Sequence, residues 1–148
     1  MNSHQKFFEL LKYSNGLKKV NKSLQHEDPK LFNVFLKFVV KIECNYHYFK
    51  KEEYISLAND FLKNKITVED FSYSFMAIYS GIGNKIYEMQ NNESFELANF
   101  LEPNRRQLGT LLSEIYGACD SFELEFEPIK SDENELKEWA KKLLLELE

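Results

Sequence analysis

The chain is short of the residues that end helices and of those that build catalytic or metal centres. Its 148 residues include five glycines, three prolines, two cysteines, three histidines and two arginines. Cys44 and Cys119 make neither a disulfide scaffold nor a zinc site, and each falls inside a helical pattern, so both are expected to be small core residues. None of the three histidines carries a glutamate three positions before it, those positions being Met1, Ser23 and Cys44, which excludes the Glu-x-x-His pairs of di-iron bundles. His47, within Asn45-Tyr46-His47-Tyr48 near a helix end, is predicted to be exposed or to cap that end. His-Glu-x-x-His, Cys-x-x-Cys, P-loop and Gly-x-Ser-x-Gly motifs are missing. Gly81-Ile82-Gly83 follows a helical pattern rather than a strand, so it is no dinucleotide loop. The longest apolar stretch, Leu31 to Ile42, is broken by Asn33, Lys37 and Lys41 and is too short and too charged to span a bilayer. Met1 to Glu9 is polar apart from Phe7 and Phe8 and does not read as a signal peptide. These absences point away from an enzyme: no catalytic residue, metal site or cofactor is expected. They also point away from a membrane, to a protein of the cytoplasm or, if organelle-encoded, of an organelle matrix or stroma.

What is present is a large apolar payload. Hydrophobic residues make up 43% and charged residues 29%, with thirteen Phe, eight Tyr and one Trp, enough for a packed core rather than a disordered chain. The net charge of −5 is unevenly spread. Residues 1–70 hold twelve basic and nine acidic residues, net +3, while residues 71–148 hold seven and fifteen, net −8. Phosphate binding needs a basic footprint, so direct contact of the second part with nucleic acid is not expected.

The apolar spacing is helical nearly throughout, predicting an all-α, single-domain antiparallel bundle of residues 1–148. A short helix is expected over Ser3 to Lys12, with Ser3 at its N-cap and Asn15-Gly16 as a stop, and Leu17 to Gln25 as loop or a single turn. Asp28-Pro29 opens a strong helix carrying Leu31, Phe32, Phe35, Phe38, Val39, Ile42 and Tyr46. Lys51 to Lys63 forms the next helix, and Thr67 caps another that carries Val68, Phe71, Phe75, Ile78, Tyr79, Ile82 and Ile86, with a break expected near Gly81 and Gly83. Ser94 caps a short helix to Leu101. Pro103 starts the helix of Leu108, Leu111, Leu112, Ile115 and Cys119, placing Arg105 and Arg106 in its first turn beside Glu102. Ser121 to Ile129 is the single stretch that alternates like a strand. The last helix begins near Ser131 or Asp132 and buries Leu136, Trp139, Leu143 and Leu147. Residues 1–50 thus form an N-terminal helical extension and 51–148 a four-helix bundle.

Nine acidic residues crowd Glu114 to Glu138 against Lys130 and Lys137. Like charge concentrated in one place costs a folded domain some stability through self-repulsion, and so suggests association with a basic surface. Asp132, Glu133 and Glu135 also fall in the first turn of the last helix, where the dipole favours acids.

The run Ala58-x-x-Phe61-Leu62-x-x-Lys65-Ile66-Thr67-x-x-x-Phe71-x-x-x-Phe75, then Leu112-x-x-Ile115-x-x-x-Cys119-Asp120-x-Phe122, then Asp132-Glu133-x-Glu135-Leu136, resembles the colicin D-type immunity proteins of the bacterial self-protective colicin-like immunity family. The resemblance covers roughly residues 54–148. Where that family commonly has a Pro-Asp pair after Asp-x-Phe, this chain has Leu124-Glu125, with Pro128 later. The resemblance implies a small helical bundle that blocks the tRNA-cutting nuclease domain of a bacteriocin. Its partner would be a basic protein, bound by carboxylates standing in for phosphates, with Asp120, Glu123, Glu125, Glu127, Asp132, Glu133 and Glu135 as the expected contacts. The other reading is an accessory subunit of a larger protein or ribonucleoprotein assembly that docks a basic partner on the same acidic surface.

Overall fold

A computed structural model describes the backbone of residues 2–123 and 130–148 and the side chains of residues 2–122 and 133–148. The fold is an all-α helical bundle, with no strand among the described residues. Its elements are α1 (Ser3–Lys19), α2 (Leu24–Glu27), α3 (Pro29–Phe49), α4 (Lys51–Leu62), α5 (Val68–Asn91), a 3-10 helix (Phe95–Phe100), α6 (Arg106–Glu123) and α7 (Lys130–Leu147).

The helix starts follow side-chain chemistry. Asn2, not Ser3, caps α1: its side chain accepts from the Gln5 backbone N–H, and the Gln5 side chain accepts from the Asn2 N–H, a reciprocal capping box. Asp28 accepts from Leu31 N–H at 3.1 Å ahead of Pro29, and Thr67 accepts from Asp70 N–H at 3.1 Å. Ser94 caps the 3-10 helix through Glu96 N–H. The start of α6 falls at Arg106 rather than Pro103, because Asn104 accepts from Arg106 N–H at 3.1 Å and so defines the first turn. In the same region Glu102 pairs with Lys41 at 3.2 Å.

Three helix ends share one device. After α1, Lys22 N–H donates to Leu17 C=O and Asn21 N–H to Lys18 C=O; after α4, Lys65 donates to Asp60 and Asn64 to Phe61; after α5, Ser94 donates to Met89 and Glu93 to Gln90. These are three Schellman closures, and their left-handed residues are Asn21 (φ 58°), Asn64 (φ 58°) and Glu93 (φ 51°). Glycine usually takes that place, yet no glycine here has positive φ. The Asn15-Gly16 stop is therefore not used. Asn15 is buried and donates to the Gln90 carbonyl at 2.9 Å, so a tertiary bond holds the helix through that point and α1 runs on to Lys19. The break expected at Gly81 and Gly83 is likewise absent, and α5 is continuous. Two glycines cost a helix only about 2 kcal/mol, which the burial of Phe71, Phe75, Ile82 and Ile86 exceeds. Of the strand-like stretch, Ser121 to Glu123 are helical, and the rest lies outside the described residues.

The chain divides into two compact units. Unit 1 is residues 1–46 with 83–106, and unit 2 is residues 47–82 with 107–148, so the divisions fall inside α3 and α5 and at the head of α6. The core of unit 1 is aromatic and amide-clamped. Phe7 stacks on Phe35 with ring centroids 6.0 Å apart, and the helix α1 packs against α2 and the 3-10 helix. Buried Asn45 donates to the carbonyls of Phe100 (2.8 Å) and Pro103 (2.7 Å), satisfying two groups of a segment that has no regular ladder. In unit 2, α4 packs along α7, and Phe61 stacks on Phe71 at 4.4 Å. Buried Ser72 donates to the Cys119 carbonyl at 3.1 Å, linking α5 to α6.

His47 overturns its expected exposure. It is 2% exposed, with Nδ1 hydrogen-bonded to the Tyr54 hydroxyl at 2.7 Å and its ring stacked 4.9 Å from Tyr79. Helix α3 ends two residues later, and α4 folds back so that its first buried side chain, Tyr54, meets His47.

Candidate functional site

Helix α6 buries Leu108, Leu112, Ile115, Cys119 and Phe122, a spacing of four, three, four and three that draws one continuous stripe. Helix α7 buries Leu136, Ala140, Leu143 and Leu147 in the same rhythm. Beside these stripes runs a groove of about 420 Å³ lined by Glu114, Gly117, Ala118, Ser121, Phe122, Glu135, Leu136 and Trp139. The groove exists because the α6 wall is small. Gly117, Ala118 and Ser121 occupy one face at i, i+1 and i+4, and a Cβ added at Gly117 would meet nothing within 4 Å. Opposite them stand Leu136 and Trp139. Trp139 is half-buried rather than core, and the Lys142 ammonium lies 4.5 Å from its ring centroid, so the indole already receives a cation.

The groove wall on α7 is fixed from behind. Lys137 donates to Asn64 Oδ1 at 2.7 Å and lies 5.6 Å from the Phe61 ring centroid. Asn64 is the left-handed residue that closes α4, so its backbone ends that helix while its side chain anchors α7.

Of the seven acids expected to form the contact surface, three have described side chains. Asp120 is exposed on α6, Glu135 is exposed and lines the groove, and Glu133 is half-buried in the first part of α7. Glu123 ends α6 and Asp132 lies in α7, but their side chains, and Glu125 and Glu127 entirely, lie outside the described residues. Glu114 and Trp139 complete the groove and were missed as site residues: Glu114 belongs to the acidic block but not to its expected contacts, and Trp139 was expected in the core. The pattern that marks them is the small-residue step Gly117-Ala118-x-x-Ser121 facing a single tryptophan. Glu138 is turned to Lys141, which donates to it at 3.0 Å.

Two carboxylates, an indole and a small-residue wall can receive a basic side chain; they form no nucleophile–base pair. Among the described residues no group of three or more His, Cys, Asp or Glu is placed to hold a metal ion. His47 lies outside the groove lining, in a tyrosine cluster with Tyr79, which is in turn 4.9 Å from Tyr116. Burial drives its pKa down to about 4, so at neutral pH the imidazole is uncharged and acts as a hydrogen-bonded core residue. Among the described residues no helix is long and apolar enough to cross a membrane. Comparison of the chain with protein-family models, curated proteins and solved structures finds no match.

Proposed function

We propose that the chain is a non-catalytic binding protein, similar to a bacteriocin immunity protein, that occludes the cleft of a basic nuclease domain in the cytoplasm. The observation that carries this reading is the α6–α7 groove, where Glu114 and Glu135 line a pocket that also presents Trp139. A nuclease that cuts tRNA presents lysines and arginines to phosphate. Carboxylates at the groove take the place of those phosphates, and a partner's cation would exchange with Lys142 over the indole face. Exposed Asp120, together with Glu123, Glu125, Glu127, Asp132 and Glu133, adds the long-range field that accelerates encounter.

Purification of the full chain from its native source tests this. A stoichiometric basic nuclease should accompany it and dissociate as salt rises. Charge reversal at Asp120, Glu123, Glu125, Glu127 and Glu135 should slow association at least about tenfold at low ionic strength. An association rate untouched by those reversals contradicts the reading. A basic partner without nuclease activity would support the assembly-subunit role for the same face instead.

A further inference from the structure

We propose that a second groove, in unit 1, docks an acidic amphipathic peptide segment of another protein. The groove measures about 410 Å³ and is lined by Leu36, Lys37, Val40, Lys41, Asn104 and Arg106. Leu36 and Val40 stand one helical turn apart on α3 and remain 40% and 47% exposed. Lys37 and Lys41 repeat at the same interval, so an aliphatic stripe runs beside a basic one. Arg106, exposed at the head of α6, adds a third cation.

The charge of this groove selects its occupant. Its lining has three cations and no acid. One neighbouring carboxylate, Glu102, reaches Lys41 at 3.2 Å, with side-chain exposures of 35% and 66%, so a carboxylate demonstrably seats at this rim while the local balance stays at +2. The apolar component excludes pure electrostatic binding as the sole purpose, since two large aliphatic side chains lie open between the cations. Nucleic acid is the poorer fit, because single strands are held by aromatic stacking platforms and the lining has no aromatic ring. A membrane surface is also a poorer fit, since interfacial anchors insert bulky side chains outward, whereas Leu36 and Val40 line a concavity. A helix or extended segment with apolar anchors one turn apart, flanked by Asp or Glu, satisfies both stripes. This site is separate from the acidic groove, and its occupant has the opposite charge.

Panning a random peptide display library on the folded full-length chain, then measuring fluorescence anisotropy of labelled selected peptides, tests the proposal. Enriched peptides should combine Asp or Glu with Leu, Ile or Phe. Their affinity should fall at least about tenfold in Leu36→Glu/Val40→Glu and in Lys37→Glu/Arg106→Glu, and stay within about twofold in Asp120→Lys/Glu135→Lys. The substituted side chains are exposed, and circular dichroism confirms that each variant is folded. The proposal is overturned by an absence of enrichment, by enriched peptides without net negative charge, or by peptide affinity indifferent to the groove substitutions. Groove-dependent binding of single-stranded DNA or of phosphatidylserine-containing vesicles, tighter than that of any selected peptide, would overturn it equally.

Discussion

The two units meet the same problem, polar groups inside an apolar core, in different ways. Unit 1 buries amides: Asn15 and Asn45 reach across to the carbonyls of Gln90, Phe100 and Pro103. Unit 2 buries a titratable group: His47 bonds the Tyr54 hydroxyl within a cluster that includes Tyr79. An amide clamp is indifferent to pH, whereas the imidazole must stay neutral. The surfaces differ as sharply. Unit 1 has eleven basic and eight acidic residues, net +3, and unit 2 has eight and sixteen, net −8. Residues 83–106 pack with the N-terminal helices, and the division by packing unit keeps the same +3 and −8 as the division of the chain at residue 70. An acidic groove in unit 2 and a basic groove in unit 1 would suit partners of opposite charge.

The comparison can first be broken at the amide clamp. Asn45→Ala removes both donors and leaves two carbonyls of unit 1 unpaired. At about 1–3 kcal/mol for each lost buried partner, urea denaturation should show a loss of roughly 2–5 kcal/mol, equal at pH 7 and pH 5. A pH-dependent loss would contradict the contrast between the units.

The next test lies in unit 2. The folded pKa of His47, about 4, is below its ordinary value of 6.5. Between these values the unfolded state binds more protons, so stability should fall as pH drops from 6.5 to 4, by on the order of 3 kcal/mol. His47→Phe should remove most of that slope. Glu43 in unit 1 has the opposite sign: burial raises its carboxyl, so its contribution is present below its ordinary pKa and is lost as pH rises through the raised folded value. Glu43→Gln should therefore stabilise the protein at neutral pH and leave it unchanged in acid, as read from urea midpoints.

Smaller effects sharpen the account of the helix ends. Glu93 holds φ 51° where glycine carries no steric cost, so Glu93→Gly should gain about 0.5–1 kcal/mol, whereas Asn21→Gly should gain less, because asparagine tolerates that region. Asn64→Gly loses the bond from Lys137, and a net loss is expected there. Gly81→Ala and Gly117→Ala, each with nothing within 4 Å of the added carbon, should gain up to about 1 kcal/mol in thermal denaturation.

Much of the helix order was legible because caps are local. Asp28-Pro29, Thr67 and Ser94 start helices where their side chains predict. The ends were harder to read, since the closing residues are asparagine and glutamate, while the glycines sit inside helices. Asn15-Gly16 looked like a stop because its decisive bond, to Gln90, comes from 75 residues away. His47 was misplaced for the same reason: its burial depends on Tyr54 and Tyr79, which a helix-end reading ignores. In the candidate site, Asp120 and Glu135 are exposed as the acidic block suggested, but the groove depends on the absence of side-chain volume at Gly117 and Ala118. Charge counting does not register an absence of volume.

The α6–α7 face is proposed to bind a basic partner through its carboxylates. The most direct measurement is the association rate of the full chain with the basic protein that co-purifies with it, taken as a function of salt for wild type and for Asp120→Lys/Glu135→Lys. The wild-type rate should fall steeply with ionic strength, and the variant should be at least about tenfold slower at low salt and nearly flat against it. Equal rates and equal salt slopes for the two proteins would contradict the proposal.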